Sequence, residues 1–214
     1  MKPIKKNLLI AGLVLLAAFK STAQIDINFD SVNANSGPVD ATAYLASYGI
    51  TLTGLNPTGG DPYINSDTAF YGSGIAFPSS PPNFLLQQAS STGESYTMQF
   101  STPLSELQFY RVGMRSDVET PIWSATAYDG ATALGSVGES YIDAFTGSSA
   151  KLFTMSYAGS EITSLTFYGN GAGSAALDGA PIDDLTITPV PEPTTLALAG
   201  LSGLSLLLFR RQRK

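Results

Sequence analysis

Polar and apolar residues alternate with a period of two along most of the middle of the chain, most cleanly over residues 25–30 and 96–100. Successive side chains of a β-strand point to opposite faces of a sheet, so this alternation predicts half-buried strands. Five further segments have strand character: residues 107–112, 122–128, 151–157, 165–168 and 182–187.

Turn signals divide these segments into short strands. Asp129-Gly130 lies before residues 132–137 and predicts a hairpin. A short apolar stretch at residues 41–48, ended by Gly49, is the one predicted helix. Residues 58–82 have weak periodicity and predict a long loop, either functional or poorly ordered. About nine short strands favour an all-β fold, an antiparallel β-sandwich of the jelly-roll kind, with its first and last strands side by side.

The N-terminus has the pattern of an export signal. Lys2, Lys5 and Lys6 precede a 12-residue apolar run at residues 8–19, and small residues follow at 21–23. A 12-residue helix spans ~18 Å, which is short of the ~30 Å bilayer core. We therefore predict a signal peptide over residues 1–23, cut by signal peptidase between Ala23 and Gln24.

The C-terminus contains a second apolar run, at residues 196–209, without a polar face. As a helix these 14 residues reach ~21 Å, a marginal span. Four of the last five residues are basic and favour a cytoplasmic end. Prolines at 191 and 193 disfavour helix just before the run. The pattern predicts a hydrophobic transmembrane-type helix that enters the membrane at least transiently.

Charge separates the body from the two ends. Residues 24–188 contain 16 acidic and 3 basic residues, a net charge of −13. Nucleic-acid binding is not expected, because no basic patch can neutralise phosphates. The chain has no Cys and no His. Disulfides, thiolate nucleophiles, Cys/His zinc sites and Ser–His–Asp triads are therefore excluded.

Three acidic residues form a candidate metal site. Asp30 ends the first predicted strand, and Asp183 and Asp184 begin the last one. If these strands are neighbours, the carboxylates can converge on a structural Ca²⁺ ion. The alternative is that they lie in solvated turns, where Asp is common. No other cofactor is expected.

Aromatic residues suggest a sugar platform. Tyr63 and Tyr71 fall in the predicted long loop, and Trp123 is the only tryptophan. Sugar rings stack on exposed aromatic faces, so these three are candidate ligand-stacking residues. For Trp123 a place in the sandwich core is the alternative. A glycan hydrolase would need a pair of carboxylates across a cleft. With 16 acidic residues the sequence singles out no such pair, and we expect no enzyme.

The tail resembles the PEP-CTERM sorting signal of Gram-negative bacteria. The resemblance rests on Val190, Pro191, Glu192, Pro193 and Thr195, on the apolar run and on the basic end. It implies that residues 189–214 are recognised by an exosortase, a membrane-embedded peptidase that cuts at or near Pro-Glu-Pro. It also implies export through the inner membrane to the cell surface or beyond, in systems that accompany exopolysaccharide production and biofilms.

These observations predict an exported surface or extracellular-matrix protein with a β-sandwich ectodomain over residues 24–188. The ectodomain is expected to be a non-catalytic module that binds polysaccharide or biofilm matrix. Two alternatives stay open: an extracellular glycan hydrolase that uses a carboxylate pair, and a structural matrix protein without a ligand.

Overall fold

The computed structural model describes residues 23–53, 62–66, 76–87, 94–114, 122–139, 149–170 and 181–191. Gln24–Pro189 forms one compact unit, and the terminal segments are not part of it. The predicted signal peptide and the predicted C-terminal helix fall almost entirely outside the described residues. Within the described ranges, no helix is both long enough and apolar enough to cross a membrane.

The unit is built almost entirely from strands. It contains one short helix, α1 (Thr42–Ala46). The strands are β1 (Ile25–Ile27), β2 (Val39–Asp40), β3 (Ile50–Thr53), β4 (Tyr63–Ser66), β5 (Ala76–Phe77), β6 (Asn83–Leu86), β7 (Glu94–Arg111), β8 (Gly113–Met114), β9 (Ile122–Asp129), β10 (Thr132–Glu139), β11 (Lys151–Ser156), β12 (Ile162–Asn170) and β13 (Ile182–Pro189).

Strand β7 belongs to both layers of the fold. It is 18 residues long. Its N-terminal half pairs with β3 and β12, and its C-terminal half pairs with β11 and β13. Pro103 lies where the partners change. A proline cannot donate a hydrogen bond to a ladder, so it costs little at a point where the ladder is interrupted. Because β7 joins both layers, eleven strands form one continuous antiparallel sheet.

We call the two halves the first and second sheets. The first has the strand order β3–β7–β12–β9–β10. The second runs β11–β7–β13, continues from β13 to β1 and β6, and then adds β4 and β2. Strands β5 and β8 form a separate pair. The first and last strands, β1 and β13, are neighbours, as the jelly-roll prediction required.

The inward faces of the two sheets share one core. Phe167 of the first sheet meets Phe109 of the second edge to face, with ring centroids 5.3 Å apart. Leu165 from the first sheet and Leu107 and Leu185 from the second are fully buried in the same cluster. Aromatic and branched side chains at every second position fill the interior. The fold is an antiparallel β-sandwich, which confirms the predicted fold class.

Three details of the predicted elements were wrong. The segments at 96–100 and 107–112 are parts of one strand, because a strand can bend at Pro103 without ending. The supposed loop at 58–82 contains β4 and β5, whose pairing partners are distant in sequence. The helix is only five residues long. Gly49 follows it with φ of +75°, the left-handed conformation that a helix C-terminus favours.

Candidate functional site

The predicted processing positions lie next to the ends of the sandwich. Ala23 and Gln24 are exposed and lie just before β1. Val190 is half-buried and Pro191 is exposed, directly after β13. Glu192, Pro193 and Thr195 lie outside the described residues. The described residues of both predicted processing sites therefore lie outside the strands, directly next to them.

Two adjacent carboxylates bind the turn before β6. The Asp183 carboxylate accepts a hydrogen bond from the backbone N–H of Ser80 at 2.8 Å. The hydroxyls of Ser79 and Ser80 lie within reach of both Asp183 and Asp184, at 2.6–3.3 Å. We call these four residues the serine clamp. It ties residues 79–80 to the start of β13.

Burial shapes the electrostatics of the clamp. Asp183 is fully buried. Loss of water around the carboxylate raises its pKa to about 6, and the charge of Asp184 adds to this, against the hydrogen bond from Ser80. Asp184 itself has φ of +46°, at the point where the pairing of β13 with β7 shifts register. A carboxyl group enclosed in this way is hidden from solvent and ties the turn before β6 to β13.

The three acidic residues of the predicted calcium site meet the same short segment. Asp30 accepts a hydrogen bond from the backbone N–H of Asn83 at 3.2 Å, and Asp183 and Asp184 bind Ser79 and Ser80. The pairing of β1 with β13 causes this approach. In the part of the chain that the structure describes, no group of three or more acidic side chains is placed to hold a metal ion. Calcium binding stays a prediction.

Trp123 is not a ligand-stacking residue. Only 2% of it is exposed, and its indole N–H donates to Glu139 at 3.0 Å. Its ring packs edge-on against Phe153 inside the sandwich. The prediction was wrong because strand alternation turns residue 123 inward. Tyr63 is half-buried within β4 rather than in a loop. Tyr71 lies outside the described residues.

A buried ion pair connects the two sheets. Arg111, at the end of β7, donates from Nε to Glu139 of β10 at 3.0 Å, and Lys151 of β11 donates to the other carboxylate oxygen at 2.9 Å. Burial alone would raise the pKa of Glu139. The hydrogen bond from Lys151 and the charge of Arg111 outweigh it, so the pKa lies below its ordinary value. Glu139 is thus held ionised as a structural link.

The outer face of the first sheet is the surface that sequence reasoning missed. Strand register aligns its outward residues in three rows across the strands. The central row is Thr53, Thr97, Thr166, Thr126 and Ser136. The rows on either side are Thr51, Gln99, Ser164, Tyr128 and Ala133, and Ser95, Tyr168, Ser124 and Gly138. None of these fourteen residues is charged. We call this surface the hydroxyl face.

Within the hydroxyl face the side chains are ordered by their own hydrogen bonds. The hydroxyls of Thr97 and Thr166 lie 2.8 Å apart, as do those of Thr126 and Ser136. Each hydroxyl can both donate and accept, so a paired hydroxyl keeps capacity for a ligand. Tyr168 is 44% exposed, one of two large hydrophobic residues exposed to this extent in the described ranges. Alternation alone identifies these residues as outward but not as neighbours.

The described part of the chain is thus an antiparallel β-sandwich with an uncharged outer face. The chain ends in a PEP-CTERM protein-sorting motif, whose family model matches residues 189–214. This confirms the resemblance seen in the tail. The motif implies an exported protein, associated with the membrane in transit and processed by an exosortase.

Comparison with other proteins adds similarities of fold. No curated protein sequence matches the chain. The K2 cleaved adhesin domain of Lys-gingipain is similar, with 14% identity, a TM-score of 0.45 and coverage of 78% of this chain and 99% of that one. A cyclase from Fischerella sp. TAU has 10% identity, a TM-score of 0.49 and coverage of 80% and 100%. CBM32 of AlyQ, in complex with 4,5-unsaturated mannuronic acid, has 11% identity, a TM-score of 0.32 and coverage of 64% and 92%.

Proposed function

We propose that this chain is a cell-surface or extracellular-matrix protein whose sandwich is a non-catalytic module that binds polysaccharide or biofilm matrix. Residues 1–23 are a cleaved signal peptide that directs export across the inner membrane, and the sorting motif directs processing by an exosortase. The sandwich over residues 24–188 is the part that remains outside. Its partners are signal peptidase and an exosortase during export, and polysaccharide afterwards.

The hydroxyl face is the observation that carries this proposal. A folded domain needs polar groups on its outer surface, but it does not need them to be uncharged and in register across five strands. Hydroxyl groups and a tyrosine are the groups that match a sugar, which offers hydroxyls of its own and an apolar ring face. Such a surface is suited to holding an uncharged ligand by hydrogen bonds and ring stacking.

The serine clamp argues against the hydrolase alternative. A general acid must lie within hydrogen-bonding reach of the bond that it protonates. Asp183 has a raised pKa, as such an acid would, but it is fully buried and bound by Ser80. Its raised pKa therefore reflects burial inside the fold and not a cleft prepared for catalysis.

The test of binding uses the full chain and exopolysaccharide from the bacterium that makes it. We expect the protein to sediment with the polysaccharide and to release no reducing sugar ends during incubation. Steady release of reducing ends would favour the hydrolase. A protein that stays in the supernatant would favour the structural alternative without a ligand.

The test of delivery replaces Pro191, Glu192 and Pro193 together by Ala. We expect the native chain to leave the membrane fraction in a trimmed form, and the variant to stay there untrimmed. A control far from the tail replaces two residues of the β9–β10 hairpin, Asp129 by Asn and Ala131 by Ser. Identical sorting and trimming of native chain and Pro191 variant would mean that the tail acts only as an anchor.

A further inference from the structure

We infer that the ligand is an uncharged polysaccharide whose chain lies across the strands of the hydroxyl face, with one sugar ring stacked on Tyr168. This inference rests on the proposed function and names its ligand class and binding surface. It follows from three properties of the face: its charge, its dimensions and the position of its aromatic residue.

Charge selects the class of polysaccharide. The three rows of the hydroxyl face carry no Asp, Glu, Lys or Arg, while the body as a whole has a net charge of −13. An anionic polysaccharide would be repelled by this body and would find no cation on the face. A cationic one would be attracted to the carboxylates of the second sheet, such as Asp26 and Glu106, instead. An uncharged chain binds this surface without desolvating an ion, and its hydroxyls can exchange their water for the hydroxyls of the face.

Dimensions give the direction of the chain. Neighbouring strands lie ~4.8 Å apart, so the central row from Thr53 to Ser136 extends ~19 Å across five strands. Every strand contributes one hydroxyl to this row. Along a single strand the three rows extend only ~13 Å, since alternate residues lie ~6.7 Å apart. A polymer that runs across the strands therefore meets the longer line of donors and acceptors, with one hydroxyl from each of five strands.

Tyr168 supplies the apolar contact. It lies in the row next to the central one, between Ser95 of β7 and Ser124 of β9. Both neighbours are small, so the tyrosine remains 44% exposed. A pyranose ring has an apolar face that packs on an aromatic ring, while the phenolic O–H reaches a sugar hydroxyl. The hydroxyl row orients the chain, and Tyr168 anchors one residue of it.

The experiment compares variants of the full chain by sedimentation with insoluble or gel-bound polysaccharides. The uncharged probes are cellulose, chitin and dextran, and the anionic probe is alginate. We expect the native chain to bind at least one uncharged probe and not alginate. Tyr168→Ala should weaken that binding about tenfold, as the loss of one aromatic contact implies. Thr166→Glu, at the centre of the face, should abolish it.

Thr154→Glu is the matched control, because it adds the same charge at an exposed threonine of the second sheet. It should bind as the native chain does. Circular dichroism first checks that each variant melts at the same temperature as the native chain, so that only folded variants are compared for binding. If Thr166→Glu unfolds, Tyr168→Ala still tests the inference, because Tyr168 is exposed.

The outcomes separate the inference from the proposed function. Sedimentation with the native exopolysaccharide, together with unchanged binding by Tyr168→Ala and Thr166→Glu, would overturn the inference alone. Preference for alginate, or binding to none of the uncharged probes, would overturn the ligand class. Failure to bind the native exopolysaccharide as well would overturn the proposed function and the inference with it.

Discussion

Threonine and serine line the outer faces of both sheets, and on the second sheet carboxylates lie among them. Asp26 of β1 lies opposite Thr186 and accepts a hydrogen bond from its hydroxyl at 3.0 Å. Glu106 of β7 accepts one from Gln108 at 2.7 Å. The three rows of the hydroxyl face contain no carboxylate. The two sheets meet the same requirement for polarity in chemically different ways.

This difference separates what folding needs from what binding needs. Carboxylates and hydroxyls are both well hydrated, so either kind of group meets the need for a polar outer face. Excess negative charge also keeps molecules apart. A charge-free surface in a body of net charge −13 is therefore not explained by solubility. The proposed uncharged ligand, which must approach this surface closely, would account for it.

The link between the sheets gives the largest expected effect. Arg111→Ala removes the buried partner of Glu139 but leaves Lys151 and Trp123 bonded to it, so we expect a loss of about 3 kcal/mol in the free energy of unfolding, the lower end for breaking a buried pair. Urea denaturation measures this loss. Lys151→Ala is the control, since 54% of that side chain is exposed and its pair is worth about 0.5 kcal/mol. Equal losses in the two variants would mean that Arg111 does not connect the sheets.

The buried carboxylate of the second sheet predicts a pH dependence. Asp183 has a pKa of about 6 in the folded chain, above its ordinary value of 3.8. The folded state therefore holds a proton that the unfolded state has lost between these pH values. The contribution of Asp183 to stability falls as pH rises from about 4 to 6, by about 3 kcal/mol in total.

Asp183→Asn removes this titration. Denaturation measures the free energy of unfolding of the native chain and of the variant at pH 4 and at pH 7. The difference between the two chains should change by about 3 kcal/mol from the lower pH to the higher one. A gap that stays constant across this range would show that Asp183 titrates as it does in water.

Calcium provides a third test, on the end of the second sheet. If Asp30, Asp183 and Asp184 hold a Ca²⁺ ion, calcium at a hundred times its dissociation constant should stabilise the chain by about 2.7 kcal/mol. The carbonyl oxygen of the Asn83 side chain is buried and has no partner among the described residues, so it is an available oxygen ligand.

Calorimetry with calcium and with chelator measures the shift in melting temperature. Asp30→Asn should reduce the shift, while Asp26→Asn, at an exposed carboxylate of the same sheet, should not. A melting temperature that is the same with calcium and with chelator would remove calcium from the account.

The smallest effect is expected on the hydroxyl face. Replacing Thr97 and Thr166 together by Val removes a hydroxyl pair and keeps the branched shape of both side chains. Because both are half-buried and partly hydrated, the free energy of unfolding should change by no more than about 1 kcal/mol. The binding free energy for an uncharged polysaccharide should fall by much more than the free energy of unfolding. A loss of stability that matches the loss of binding would make the hydroxyls structural.

Much of the fold could be predicted because it depends on local pattern. Alternation correctly located β9, β10, β11 and β13 to within two residues, and the Asp129-Gly130 turn joins β9 to β10. Strands β4 and β6 were missed because they are buried on both sides and do not alternate. The short strands β2 and β5 have two residues each, too few for any period to be recognised.

The candidate site was less predictable because it depends on contacts between distant residues. The pairing of β1 with β13 was foreseen, since both strands have a clear alternation. The serine clamp was not, because Ser79 lies 104 residues from Asp183. Trp123 was considered as a surface residue on its type, although the parity of its strand places it inside with Ala125 and Ala127.

The sequence by itself determined that this protein is β-rich, lacks Cys and His, is acidic in its body and carries a PEP-CTERM sorting motif at residues 189–214. These properties are local, since composition, a period of two and the order Pro-Glu-Pro, apolar run and basic end are legible without a partner strand. Only the tertiary structure decided which threonines stand in one row and which carboxylates are buried. Alternation gives each residue a side of its strand, but pairing between strands far apart in sequence sets the register that makes a surface.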